Sequence, residues 1–433
     1  MNALRLQPLK QGLVNLPGST PHSAALTAKL LHKSFETHHC FFNDEFFHDH
    51  LSHHILSLYD LGASAEAIQK TYDFHSSYLR PLFHGNKEQK VGRVTEANWH
   101  ETLGETRADL YADYLSFFSE RIAKDGVRAV LEKYLFTPEA NGNGILMLTR
   151  FFGGVLHPII QVGYGVEFGQ DYIVAQGLSL TAITSPQGSV VMEPAGLSDI
   201  PATTNSSPES PGPTLLTLLH EFSTDPSLTF IPFPGPFNGG ASFAGLIKWV
   251  RDHPAHGTRI RALFAKWRFA FTPEDFERKV DECMWAAALI LGGTTPAARL
   301  SAGKGPRMDF FLMHVLTSAL TLRPLIRVLE SPVAQGAAAD GSRTSARLFA
   351  RYITARRGLG VPRLGFCLRL KKTSASESES LAGLAEVDGT LFIRVAGALC
   401  DALGWPLYGG KNEEKAWSFD GFWEGSWGDF EKE

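Results

Sequence analysis

The sequence predicts a mainly α protein: a bundle-like multi-helix array forming one large domain with long surface loops. Three observations predict it. Apolar residues recur at helical spacing in segment after segment from Ala24 to Leu403. Period-2 alternation is scarce, and Ser189 to Met192 is at best one short strand. The segments also carry helix punctuation, such as Gly62, Gly126, Gly292–Gly293 and the Thr272-Pro273 start.

Taken in order, residues 1–23 read as an extended arm punctuated by Pro8, Gly12, Pro17 and Gly18. A helical domain spans 24–404. Ala24 to Thr37 is its first helix. A second runs from Asn43 or Asp44 to Leu61, and Gly62 ends it. Ser64 caps the next, so Gly62-Ala63-Ser64 is a tight helix–helix turn. Thr106 to Lys124 and the segment from Val127 follow, broken by Pro138 and the NGNG at 141–144. Leu156 to about Leu180 reads as one buried helix.

Residues 194–213 are rich in Pro, Ser and Thr and form a loop. Helical patterns resume at Thr214–Phe222, Phe243–Asp252 and Arg259–Phe269. The Thr272 hydroxyl and Pro273 open a helix that runs to Leu291. Asp309–Leu320, Ala346–Arg356 and Thr390–Leu403 are further helices, 371–381 is a second flexible loop, and 405–433 is a tail.

The formal net charge of −4 shows no basic excess, which argues against nucleic acid as a partner. Four widely spaced cysteines without a CxxC pair are no disulfide framework and fit a reducing, cytoplasmic setting. No apolar run is long enough to span a bilayer, and the N-terminus lacks a signal-peptide core. The expectation is a soluble protein without a membrane partner; oligomeric state is not legible.

Chemistry points to histidine. Six of the sixteen histidines fall between His38 and His54, interleaved with Phe41, Phe42, Phe46 and Phe47. Imidazoles among bulky apolar groups need a hydrogen bond, a charge or a metal. On a helix, His50 and His54 share one face, with His53 on a more polar side. His157 opens an apolar helix, and His314 lies in the apolar MDFFLMHVLTS. Convergence of His50, His54, His157 and His314 from facing helices would make an imidazole-rich site suited to Fe, Zn, Cu or Ni. Asp309, near a helix start where the dipole stabilises a carboxylate, is a candidate base, as is Glu167. Phosphate-loop, dinucleotide, GxSxG and HExxH patterns are absent from the sequence.

HHCFFNDEFFHDHLSHHILSLYDLGAS, LMLTRFFGGVLHPIIQVGYGVEFG, MDFFLMHVLTSAL and DGTLFIRVAGAL resemble, in that order, segments of the questin oxidase family. The resemblance runs from about residue 35 to 405. It implies an oxidoreductase of fungal secondary metabolism that uses O2 to cleave the ring of an aromatic polyketide, most often an anthraquinone such as questin. It also implies non-heme Fe(II) held by histidines that match His50, His53, His54, His157 and His314, with a carboxylated lysine. Two positions depart from the family pattern: Gln161 stands for a histidine, and Arg394, which cannot be carboxylated, stands for the lysine. Arg394 and Asp309 are therefore the catalytic candidates beside the histidines. The alternatives are an NADPH-dependent Baeyer–Villiger-type monooxygenase without metal, and a non-catalytic helical protein that binds a polyketide or a partner enzyme.

Overall fold

The computed structural model describes residues 4–44, 46–82, 92–186, 212–228, 251–268, 272–292, 308–331, 334–338 and 417–418. The chain divides into two compact units, one of residues 1–189, 194–200 and 321–338, the other of 190–193, 201–320 and 339–433. The mainly α expectation is borne out. Extended pairing among the described residues is confined to isolated bridges and one parallel pair, β1 (Met308–Asp309) with β2 (Trp417–Ser418).

The first unit begins with the arm, which is held to the helices that follow. Lys10 N–H donates to the Phe168 carbonyl, and Val14 and Asn15 N–H donate to the Asp60 carboxylate. A Cβ on Gly12 would lie 2.2 Å from an Asp60 oxygen, so the contact requires glycine there. Helix α1 (Pro21–Thr37) starts three residues before Ala24. The reason is local: Thr20 and Ser23 form a capping box, and Pro21 takes the first turn, where no N–H is needed.

The expected helix from Asn43 is shorter than predicted. The chain around it folds back instead, with a Phe41–His48 bridge and Asp49 N–H donating to the Cys40 carbonyl. Phe46 has φ 62°, which breaks any helical run there. Helix α2 (Leu51–Asp60) begins only after His50, its N-cap residue. Ser64 caps α3 (Ala65–Ser76) by accepting from Ala67 N–H, as the sequence predicts. The helices α4 (Tyr111–Asp125), α5 (Val127–Leu135), α6 (Pro138–Asn141) and α7 (Met147–Phe151) follow.

The single helix expected over 156–180 is a hairpin of two, α8 (His157–Phe168) and α9 (Asp171–Ile183). Gly169 at φ 65° ends α8, the left-handed cap that glycine adopts without cost. Uniform apolarity on both sides hid the break. The two helices approach closely enough that a Cβ on Gly165 would lie 2.7 Å from Val174 N, and one on Gly177 2.8 Å from Val162 N. Every α9 residue from Tyr172 to Ile183 is buried. Its hydroxyls satisfy themselves on the helix: Ser179 donates to the Ala175 carbonyl and Thr181 to that of Gly177.

In the second unit, α10 (Leu215–Thr224) is capped by Thr214, α11 (Pro254–Phe264) starts earlier than Arg259, and α12 (Pro273–Gly292) is capped by Thr272. Pro254 explains the earlier start, since proline fits the first helical turn. Buried Glu282 organises this unit by accepting from Trp267 Nε1–H at 2.6 Å and Leu215 N–H at 2.9 Å. The last described long helix, α13 (Phe310–Val328), runs past Leu320 through Pro324. It is continuous across Leu320–Thr321, where the division between units falls. In the first unit Thr321 packs on Gly163 so closely that a Cβ there would clash at 2.1 Å.

The expected strand at 189–192, the helices at 243–250, 346–356 and 390–403, the loops at 194–211 and 371–381, and nearly all of the tail lie outside the described residues, as does Arg394.

Candidate metal centre

His157 is delivered by an unusual piece of backbone. Gly154, Val155 and Leu156 are consecutive residues with φ of 52°, 50° and 67°. For the two non-glycine residues, left-handed backbone costs about 1–2 kcal/mol each. The turn sets the Gly154 carbonyl 2.7 Å from His157 Nδ1. A carbonyl only accepts, so Nδ1 carries the proton, and Nε2 of the neutral ring presents its lone pair.

That nitrogen faces His50. The two Nε2 atoms are 2.7 Å apart, and the rings lie within 5° of parallel. His50 sits just before α2 as its N-cap residue, with φ −108° and ψ 1°. His48 stacks on His157, with centroids 4.0 Å apart and planes 7° apart. It passes so near Gly154 that a Cβ there would meet His48 Nε2 at 3.0 Å.

His314 comes from α13. Its Nδ1 lies 3.0 Å from the Phe310 carbonyl one turn back, which again places the proton on Nδ1. One ring nitrogen each from His50, His157 and His314 falls within 4.8 Å of the others, the spacing of a group able to hold a metal ion. His157 and His314 are buried and His50 is partly so. The donor set fits: two of three imidazoles have their tautomer fixed by a backbone carbonyl, the arrangement that orients histidine ligands. Imidazole nitrogens suit iron, zinc or copper rather than magnesium or calcium.

The other predicted residues are placed elsewhere. His54 does not join the group; its Nδ1 lies 3.0 Å from His75 Nε2. The shared face expected of His50 and His54 fails because His50 is not on the helix. His53 stays beside His50, with ring centroids 5.1 Å apart. Gln161, one turn after His157, accepts from Ser52 Oγ at 2.6 Å and donates to Gln176 Oε1 at 3.2 Å. It therefore ties α2, α8 and α9 together. Glu167 accepts from Leu13 N–H, and burial pushes it up to about 7; it meets the arm, not the histidines. Asp309 is the last residue of β1, one position before α13.

Three residues were missed. His48 lies in the fold-back loop, and only its place in the histidine cluster marked it. Asp49, pushed up to about 7 by burial, accepts from Leu51 N–H at 2.7 Å at the start of α2. His75, near the end of α3, could have been found from its i, i+3 pairing with Tyr78.

The chain is 27% identical to an oxidoreductase, AflY, of Aspergillus parasiticus over 68% of its own length and 55% of that protein. It is 29% identical to a questin oxidase of Aspergillus terreus over 69% of its length and 62% of the relative. It is 28% identical to a Baeyer–Villiger oxidase, AgnL3, of Paecilomyces divaricatus, over 76% and 67% respectively. The chain thus spans a little over half to two thirds of these relatives. No described helix is long and apolar enough to cross a membrane. The family described as questin oxidase-like matches residues 47–358, a stretch that contains all three histidines of the group, and the chain belongs to that family.

Proposed function

We propose that this protein is an oxygenase that cleaves a ring of a hydroxylated aromatic polyketide, an anthraquinone, at iron held by His50, His157 and His314. The convergence of these three imidazoles within 4.8 Å carries the reading. The names of the relatives, questin oxidase and Baeyer–Villiger oxidase, support oxidation of such a substrate. A bound iron supplies the one-electron chemistry that O2 requires. The chain's own part is to hold that ion. The Gly154 and Phe310 carbonyls fix the His157 and His314 rings, and His48 stacks on His157. His50, His157 and His314 are the residues that would hold the ion. Arg394 and Asp309 remain the candidates for completing or serving the site from the later part of the chain.

The test is to reconstitute the full chain with Fe(II) without oxygen, add a hydroxyanthraquinone, and admit 18O2. The expected result is oxygen uptake with label in a ring-opened or ring-expanded product. Turnover that requires NADPH and survives complete chelation overturns the metal half of the proposal. Tight binding of the anthraquinone without oxygen uptake under either condition overturns the enzymatic half and leaves a binding protein.

A further inference from the structure

His54, His75 and Tyr78 form a hydrogen-bonded row that the metal group does not use. The Tyr78 hydroxyl is 2.5 Å from His75 Nδ1, and His75 Nε2 is 3.0 Å from His54 Nδ1. His75 is 5% exposed, whereas the residues at both ends of the row, His54 and Tyr78, reach the surface. Burial, with repulsion from His54 and His50, holds His75 down to about 4, and burial with Asp49 nearby raises Tyr78 to about 12. At neutral pH His75 is uncharged and Tyr78 keeps its proton.

A neutral imidazole beside a protonated phenol can be bonded in either sense; in the sense that lets Tyr78 O–H donate to His75 Nδ1, the His75 proton sits on Nε2 and is donated to His54 Nδ1, and His54 carries its own proton on Nε2. A histidine that only fills the core needs one partner; His75 uses both ring nitrogens in one chain of aligned donors.

The Tyr78 end is set among aromatic rings. Phe42 and Phe74 meet it edge to face at centroid distances of 5.4 and 5.6 Å, and Phe47 lies 5.9 Å from Phe42. Phe47, Phe74 and Tyr78 are each at least 40% exposed. Rings held open to solvent around a hydroxyl match a flat phenol, which offers a face to stack and a proton to share.

We propose that Tyr78 hydrogen-bonds a phenolic hydroxyl of the aromatic substrate, and that His75 and His54 carry its proton to solvent. This role rests on the substrate reading above. The phenol O–H bond breaks as its proton joins the Tyr78 oxygen. The Tyr78 proton passes to His75 Nδ1, the His75 Nε2 proton to His54 Nδ1, and the His54 Nε2 proton to water. The products are a bound phenolate and a hydronium ion, and the reverse passage protonates the product. Tyr78 is the residue that touches substrate; His75 and His54 act through it.

Two measurements on the full chain test this. Long-range 1H–15N NMR on zinc-loaded, histidine-labelled protein should show His75 as the Nε2–H tautomer, with Tyr78→Phe releasing that preference. An Nδ1–H tautomer at His75 overturns the row. In the iron-loaded protein, Tyr78→Phe and His75→Gly should each lower kcat about 100-fold with KM little changed. Added imidazoles should restore His75→Gly in the order of their basicity. Unchanged kcat in a folded Tyr78→Phe protein, or rescue blind to basicity, overturns proton transfer. A wild type that turns over no hydroxyaromatic sinks the functional reading and this role with it; the tautomer spectrum separately decides whether the row exists.

Discussion

The imidazoles of His50 and His157 meet across 107 residues of sequence, with Nε2 atoms 2.7 Å apart and ring planes 5° apart. His54, one helical turn from His50, faces His75 instead. His54→Ala should therefore leave metal content at the wild-type level. Metal analysis of the purified variant checks this, and loss of the ion would put His54 back among the ligands.

The left-handed turn before His157 stores strain. Val155 and Leu156 both occupy backbone that favours glycine, at φ 50° and 67°. Val155→Gly should raise unfolding stability by about 1 kcal/mol in urea titration, since the relief of left-handed strain exceeds the added chain entropy of glycine. Gly154→Ala should do the opposite, because its Cβ would press on His48 Nε2 at 3.0 Å. A loss of stability in Val155→Gly would mean that the side chain's packing outweighs the strain.

Close packing of α8 on α9 depends on glycine. Gly177→Ala would bring a Cβ to 2.8 Å from Val162 N, a backbone atom that cannot rotate away. Overpacking of this kind costs about 1–3 kcal/mol, read as a lowered Tm. A Tm equal to wild type would show that the hairpin can open at no cost.

Glu167 makes stability depend on pH. Burial raises it from 4.5 to about 7, while the Leu13 N–H partly offsets this. The folded state thus holds its proton more tightly than the unfolded chain. The contribution is full below about pH 4.5 and is lost as pH rises through about 7. Glu167→Gln should be more stable than wild type at pH 8, by on the order of 1 kcal/mol after allowing for partial exposure, and nearly equal to it at pH 4.5. Equal stability at both pH values would show that the carboxylate is paid no burial penalty.

Much of the fold was legible because its signals are local. Thr272-Pro273 and Ser64 cap the helices they were expected to cap, and Thr214 precedes α10. What failed depends on contacts between distant residues. Nothing in HHCFFNDEFFHDH separates a helix from a fold-back, since the Phe41–His48 bridge decides it. Nor does the apolar stretch around Gly169 announce its turn. His157 and His314, singled out because a buried imidazole in an apolar helix needs a partner, are brought together with His50; His54 is not, because the helix expected through His50 begins only after it. Gln161 reads as a lost ligand in sequence, but in the fold it bridges Ser52 and Gln176.

The most direct test of the central claim is the metal content of the wild type and of His157→Ala, measured after both are folded with limiting Fe(II) and desalted. The account predicts close to one iron per chain in the wild type and, in the variant, an affinity lower by at least 10-fold. Equal iron in both proteins, or none in a folded wild type, would contradict it.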